Sequence, residues 1–97
     1  SKGNQFYSYC YVADAVSGIV KVLLDGKSTY AYNIAGKECD MCLAEIAECL
    51  ADISETKVIF QIPENIEKIG YSTATKALLD ISLAEELGYI SLYNIKN

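Results

Sequence analysis

Residues Gln5 to Asp14 read QFYSYCYVAD, and the change of period inside this stretch decides the fold. From Phe6 to Val12 alternate positions carry Tyr7, Tyr9 and Tyr11 on one side and Phe6, Ser8, Cys10 and Val12 on the other. That two-residue period predicts a strand covered at least in part on both faces. From Ala13 the period turns helical: Val16, Ile19, Val20 and Leu23 form one stripe, Asp14 stands near the positive N-terminal end, and Gly26 stops the run. A strand passing straight into a helix predicts an α/β chain.

The pattern continues outward. Tyr30 to Ala35 reads as a second strand closed by Gly36, and Lys37 and Glu38 turn the chain into a further helix with Leu43, Ile46, Ala47 and Leu50 on its stripe. Cys42 and Glu45 occupy the places of a capping box with a thiol for the hydroxyl, and Asp40 is the alternative cap. Val58 to Ile62 reads as a third strand, so Tyr30 to Ile62 predicts a strand-helix-strand unit with a right-handed crossover and parallel pairing. Pro63 opens a polar stretch, PENIEKIGYSTAT, that suits either a surface loop or an irregular helix with a turn at Gly70. Lys76 to Ile81 is a short extended piece, and Ser82-Leu83-Ala84-Glu85 has the spacing of a capping box for a brief helix ended by Gly88.

Composition narrows the function classes. The chain has 97 residues, which suits one domain, and 52% hydrophobic content with a single proline favours a packed globule. No apolar run approaches the roughly 20 residues of a membrane helix, and no charged-then-apolar leader is present, so the cytoplasm is the expected compartment. The net charge is −5 and the eight basic residues are dispersed lysines, a pattern without the basic stripe that tracks nucleic acid. Arginine is absent, so a bound diphosphate has no arginine fork to grip it and must use lysine, hydroxyls or backbone amides. Cys39-Asp40-Met41-Cys42 has the CxxC spacing of zinc and redox sites. The chain carries no histidine and no second CxxC, however, and Cys10 sits in a predicted strand as a small apolar residue, so no metal is expected.

Taken in order, Gly3, Gln5, Tyr9, Tyr11-Val12, Asp14, Val16 and Gly18-Ile19, then Tyr32-Asn33-Ile34, Leu43 and Glu45-Ile46-Ala47, and finally Lys76, Asp80, Ser82, Ala84 and Leu87-Gly88-Tyr89 match one family pattern over nearly the whole chain. The chain resembles the C-terminal substrate-binding lobe of the extended short-chain dehydrogenase/reductases, the NAD-dependent epimerases and dehydratases of nucleotide-diphosphate sugars. The resemblance implies that residues 1–97 are a single small α/β domain, and that an N-terminal NAD-binding Rossmann domain lies outside them. It implies Gln5, Tyr7 and Lys76 as substrate-binding positions. Tyr7 and Lys76 stand where the family usually has arginines for the diphosphate, so one site loses its charge and the other keeps charge without the fork.

The family's chemistry also needs a glycine-rich turn for the cofactor and a tyrosine followed four residues later by lysine. Neither occurs here: Tyr71 comes nearest, with Lys76 five residues on. No catalytic residue is therefore expected in this chain, and NAD is expected only in the parent enzyme. The partners implied are a nucleotide-diphosphate sugar and the chain's own NAD-binding lobe, with a second copy of the chain as a further candidate through the face left bare.

The plainer readings stand alongside. Tyr7, Tyr9 and Tyr11 suit a packed aromatic strand face, Lys76 a solvated lysine, Asp14 a helix-terminus residue and Asn33 a strand-end hydrogen-bonding residue. A free-standing acidic α/β protein-interaction module is the alternative from another class, and a thiol or metal module on Cys39 and Cys42 ranks last.

Overall fold

Strand β1 (Phe6–Ser8) is the middle of a three-stranded sheet and organises the chain around it. Strand β2 (Asp40–Cys42) pairs with it antiparallel, with Phe6 opposite Cys42, Tyr7 opposite Met41 and Ser8 opposite Asp40. Strand β3 (Lys76–Ala77) pairs on the other side in parallel, with Phe6 opposite Lys76 and Tyr7 opposite Ala77. The computed structural model describes residues 2–62, 64–65 and 74–95, and the statements below concern those residues. The ladder runs past the strand ends: the Tyr9 amide reaches the Cys39 carbonyl at 3.1 Å, and the Phe6 amide the Thr75 carbonyl at 2.8 Å. Ser8 pins all three strands, its hydroxyl donating to Asp40 Oδ1 at 2.6 Å and accepting the Leu79 amide at 2.9 Å.

Helix α1 (Val12–Asp25) starts one residue earlier than its periodicity indicates, with Tyr11 extended at the N-cap and Gly26 as C-cap. The predicted strand to Val12 is correspondingly shorter, because the chain leaves the sheet after Tyr9 to begin the helix. The buried face of α1 carries Asp14 and Gly18, not the apolar stripe. Glycine is required at position 18: a Cβ there would lie 2.7 Å from Ile34 Cγ2 and 3.1 Å from Tyr89 Cε1. Val16, Ile19, Val20 and Leu23 instead face outward.

The α/β class stands, but the strands in it are not all the expected ones. Tyr30 to Ala35 and Val58 to Ile62 pair into no strand, so the expected crossover unit between them does not form among the described residues. Their apolar content supplies the propensity for a strand; the ladder partner that would make them one is missing from their surroundings. Asp40 to Cys42 pairs instead, although its three residues give no periodicity to read. Helix α2 (Leu43–Ile53) follows at once, with Cys42 as N-cap and no side-chain cap bond, so the thiol does not take the hydroxyl's place. Asp40 is committed to Ser8 and does not cap it either. The polar stretch from Pro63 lies mostly outside the described residues.

Helix α3 (Ser82–Glu86) is where expected but capped differently. Asp80 Oδ1 accepts the Ser82 amide at 2.9 Å, so the capping carboxylate comes from two residues earlier than the serine. Its other end is a full Schellman motif: Gly88, at φ +100°, donates to the Glu85 carbonyl at 2.9 Å and Tyr89 donates to the Ala84 carbonyl at 3.1 Å. Apart from Tyr89, the buried core among the described residues is built of small and medium residues, Ala35, Cys39, Met41, Ala51 and Ala84. A Cα radius of gyration of 16.2 Å exceeds the ~13 Å of a compact domain this long, and the thinnest extent is 16 Å. No described helix is long and apolar enough to cross a membrane.

Candidate functional site

Gln5, Tyr7 and Lys76, the positions the resemblance marks for substrate, all sit on or beside β1 and β3. Gln5 immediately precedes β1 and is half-buried, its carbonyl accepting the Leu43 amide at 3.1 Å. Tyr7 is the central residue of β1, also half-buried. Its phenol donates to the Ala74 carbonyl at 2.6 Å, and its ring lies 6.4 Å from that of Tyr9. Lys76 opens β3, is exposed, and makes no ion pair among the described residues. The register sets their directions: Lys76 is opposite Phe6 and so shares its face, while Tyr7 shares a face with Ala77. Gln5, two residues before Tyr7, follows it to that side. The sheet thus groups Gln5 with Tyr7 and sets Lys76 on the other face, at the edge strand.

Three polar residues that sequence reading left in minor roles prove central. Asp14 is only 2% exposed, and its two carboxylate oxygens accept the Leu92 and Tyr93 amides, each at 3.0 Å. It lies in the first turn of α1, so the helix dipole and two backbone donors all stabilise the buried charge. Tyr89 is 4% exposed, donates to the Ala35 carbonyl at 2.9 Å and stands 3.8 Å from Cys10 Sγ. Burial first, and then the Cys10 thiol, push its phenol well above the ordinary tyrosine value. Asn33 donates to the Asp80 carbonyl at 3.1 Å, tying the extended segment to the approach of α3. The spacing Asp14-x-x-x-Gly18, placing both on one helix face away from the stripe, was the available signal for the first of these.

The cysteines do not converge. Residues 39 and 42 are three apart along an extended strand and leave from opposite sides: Cys39 Sγ approaches the Tyr93 carbonyl at 3.6 Å, and Cys42 Sγ the Asn4 carbonyl at 3.9 Å. Burial first, then neighbouring Cys10 and Asp14, raise the Cys39 thiol above its usual value. Partial burial and then Glu45 raise that of Cys42. Thiols shifted this way stay protonated at neutral pH and are poor nucleophiles. Among the described residues no three histidine, cysteine, aspartate or glutamate side chains gather as for a metal.

Helices α1 and α2 open after Tyr11 and Cys42 with no glycine turn, and Gly36 is packed so tightly that a Cβ would meet Cys39 Sγ at 2.6 Å. An apolar cleft of about 350 Å³ is lined by Tyr9, Cys10, Cys39, Met41, Leu50 and Tyr93 among others. Neither Gln5, Tyr7 nor Lys76 lines it, although Met41 in its wall is the residue opposite Tyr7.

No protein-family model matches the chain, and no curated protein matches it. Solved structures do. UDP-glucuronic acid 4-epimerase from Bacillus cereus, in complex with NAD, superposes with a TM-score of 0.74 at 23% identity, covering 98% of this chain and 28% of that one. RMD from Pseudomonas aeruginosa, complexed with NADPH, gives a TM-score of 0.79 at 19% identity, with coverages of 98% and 30%. The chain therefore spans less than a third of the length of these enzymes. At such identities the likeness speaks for the fold, and the α/β fold of this chain is that of one part of each of these nucleotide-cofactor enzymes, in keeping with the resemblance carried by its motifs.

Proposed function

We propose that this chain is the C-terminal substrate-binding lobe of an NAD-dependent epimerase or dehydratase acting on nucleotide-diphosphate sugars in the cytoplasm, an isomerase or lyase as a whole enzyme. The observation that carries the reading is the pairing of near-complete coverage of this chain with under-a-third coverage of two chains bound to NAD and NADPH. In this reading the chain supplies no catalytic group. An N-terminal lobe holds the NAD, and this chain positions the sugar nucleotide against it, where alignment of reacting atoms contributes to rate. When bound, NAD supplies reversible hydride transfer at the sugar.

Gln5 and Tyr7 then line one wall of the nucleotide-sugar site. Lys76, on the edge strand, supplies the positive charge for the diphosphate from the margin of the sheet. Tyr7 has its proton engaged with the Ala74 carbonyl, so it offers phosphate oxygens little, and diphosphate affinity is weaker than an arginine would give.

The test uses the longest polypeptide that contains this chain, titrated calorimetrically with UDP-glucuronic acid, UDP-glucose and GDP-mannose in the presence of NAD. At least one of these binds, and Lys76→Ala weakens it. Tyr7→Arg tightens binding roughly tenfold by restoring a charged fork, with circular dichroism confirming an unchanged fold. Binding unaltered or weakened in a folded Tyr7→Arg variant rejects the site. Absence of binding by all three sugars and by NAD rejects the function.

A further inference from the structure

Residues 58–62 read VIFQI, a stretch without charge set between Lys57 and Pro63. Valine, isoleucine and phenylalanine are side chains that suit a paired strand. A short segment of high strand propensity and no charge is the signature of a strand that pairs with copies of itself. Lysine and proline at its ends are the residues that keep such pairing from spreading along the chain.

The fold leaves this segment open. Its start is fixed: Glu55, left-handed at φ +56°, turns the chain off the end of α2, and the Thr56 amide donates to the Ala51 carbonyl at 2.9 Å. Val58 and Phe60 then line a cleft with Glu48, Ala51 and Asp52 of α2. Ile59, between them, is 82% exposed, and Phe60 and Ile62 are 45% and 58% exposed. Residues 58–62 belong to no helix or strand, and among the described residues the backbone of residues 57–60 enters no hydrogen bond. Three large apolar side chains in solvent beside unpaired amides and carbonyls make a docking edge.

We infer that residues 58–62 are a self-association edge whose occupant is the same segment of a second copy of this chain, paired antiparallel about a two-fold axis at Phe60. The sequence around the segment chooses both occupant and direction. In an antiparallel pair centred on Phe60, Val58 faces Ile62, Ile59 faces Gln61 and Phe60 faces its own copy, and no charge between Glu55 and Asn65 faces its like. Parallel pairing in register sets Lys57 against Lys57 and Glu55 against Glu55. Like charges directly opposite destabilise a strand pair, whereas aromatic and β-branched pairs stabilise it. The chain carries a net charge of −5, so two copies repel one another except where, as here, the surface is uncharged. A two-fold axis uses the same patch on both copies, which this self-complementary segment supplies. The contact uses none of Gln5, Tyr7 and Lys76, so it stands whether or not the functional reading does.

Sedimentation equilibrium and disulfide mapping on the 97-residue chain test it. The chain should form dimers, and Ile59→Lys, with its fold checked by circular dichroism, should weaken them at least about tenfold. Leu23→Lys, on the outward stripe of α1, should leave them unchanged. For direction, Val58→Cys and Ile62→Cys chains are mixed and oxidised, and peptide-resolved mass spectrometry separates the new bridges from those of the four native thiols. Antiparallel pairing predicts bridges from position 58 to position 62, because the two copies of position 58 stand ~13 Å apart at ~3.3 Å per residue, too far for a disulfide. Bridges of 58 to 58 and of 62 to 62 mean parallel pairing and overturn the inference. A chain that stays monomeric to millimolar concentration overturns it as well, as do particles that grow past the dimer. A dimer that survives Ile59→Lys, or that Leu23→Lys dissolves as readily, assigns the contact to another face and overturns it too.

Discussion

Residues 80–93 and residues 30–35 lie against the same helix, yet one is finished and the other is not. The first contains a helix of only five residues, too short to stand on propensity alone, and every terminus of it is tied. Asp80 caps its start, the Gly88 Schellman turn closes its end, Tyr89 is buried, and Asp14 clamps the Leu92 and Tyr93 amides. The second has β-branched and aromatic residues that favour a strand and gains almost no backbone bonds. Order in this chain follows polar partners supplied from far along the sequence more than local propensity.

Removing the partner with the most bonds should break that contrast most strongly. Asp14→Ala leaves two amides without their charged acceptor in a buried setting and should cost about 3 kcal/mol of stability, seen as a lower urea midpoint with the slope retained. The Tyr11–Tyr93 ring pair, with centroids 4.9 Å apart, should loosen with it and weaken the near-ultraviolet tyrosine signal. Stability within a few tenths of a kcal/mol of the native chain would show that the C-terminal segment holds its place without the clamp. Next in size is Gly88→Ala. A side chain at φ +100° costs ~1–2 kcal/mol, while the nearest atom to its Cβ, Lys21 Cε at 3.1 Å, belongs to a flexible side chain and can move. The strain therefore comes from the backbone, and Gly88→Asn should recover part of the loss.

How much of this was legible follows the same division. The α/β class, both long helices, the stop at Gly26 and the brief helix near Ser82 follow from local periodicity and glycine placement, which the sequence displays directly. The stripe on α1 was legible as a stripe, but its direction was not, because periodicity shows that a helix has an apolar face without saying what covers it. Strand β2 was missed since three residues carry no period, and 30–35 and 58–62 were overread since their partners are not encoded locally. At the candidate site, Gln5, Tyr7 and Lys76 came from motif order. That Lys76 faces away from the other two could come only from the sheet register. Asp14 and Tyr89 were underrated because their partners lie 78 and 54 residues away.

Two side-chain bonds join the two regions, from Asn33 to the Asp80 carbonyl and from Tyr89 to the Ala35 carbonyl, and deleting the buried second one sharpens the comparison without altering shape. Tyr89→Phe removes the hydroxyl donating to the Ala35 carbonyl and should cost about 1 kcal/mol, less than either change above because the ring still fills its place. Hydrogen exchange of the Gly36 amide, bonded to the Tyr9 carbonyl at 2.8 Å, should quicken in this variant while that of α3 holds. If α3 quickens equally, the two regions unfold as one unit and the contrast between them fails.

The smallest effect is one of pH. The Ser82 hydroxyl first, and the Ser82 amide with it, hold the Asp80 carboxyl below its ordinary value of 3.8. A carboxylate whose folded value is depressed stabilises the fold fully above its unfolded value, and that contribution fades as pH falls through the folded one. Asp80→Asn keeps a carbonyl oxygen for the Ser82 amide but cannot titrate. The gap in melting temperature between the native chain and this variant should therefore be constant above about pH 5 and close progressively below about pH 4. A gap unchanged down to pH 2.5 would mean that the charge on Asp80 contributes nothing to the start of α3, and that the oxygen alone, charged or neutral, makes the cap.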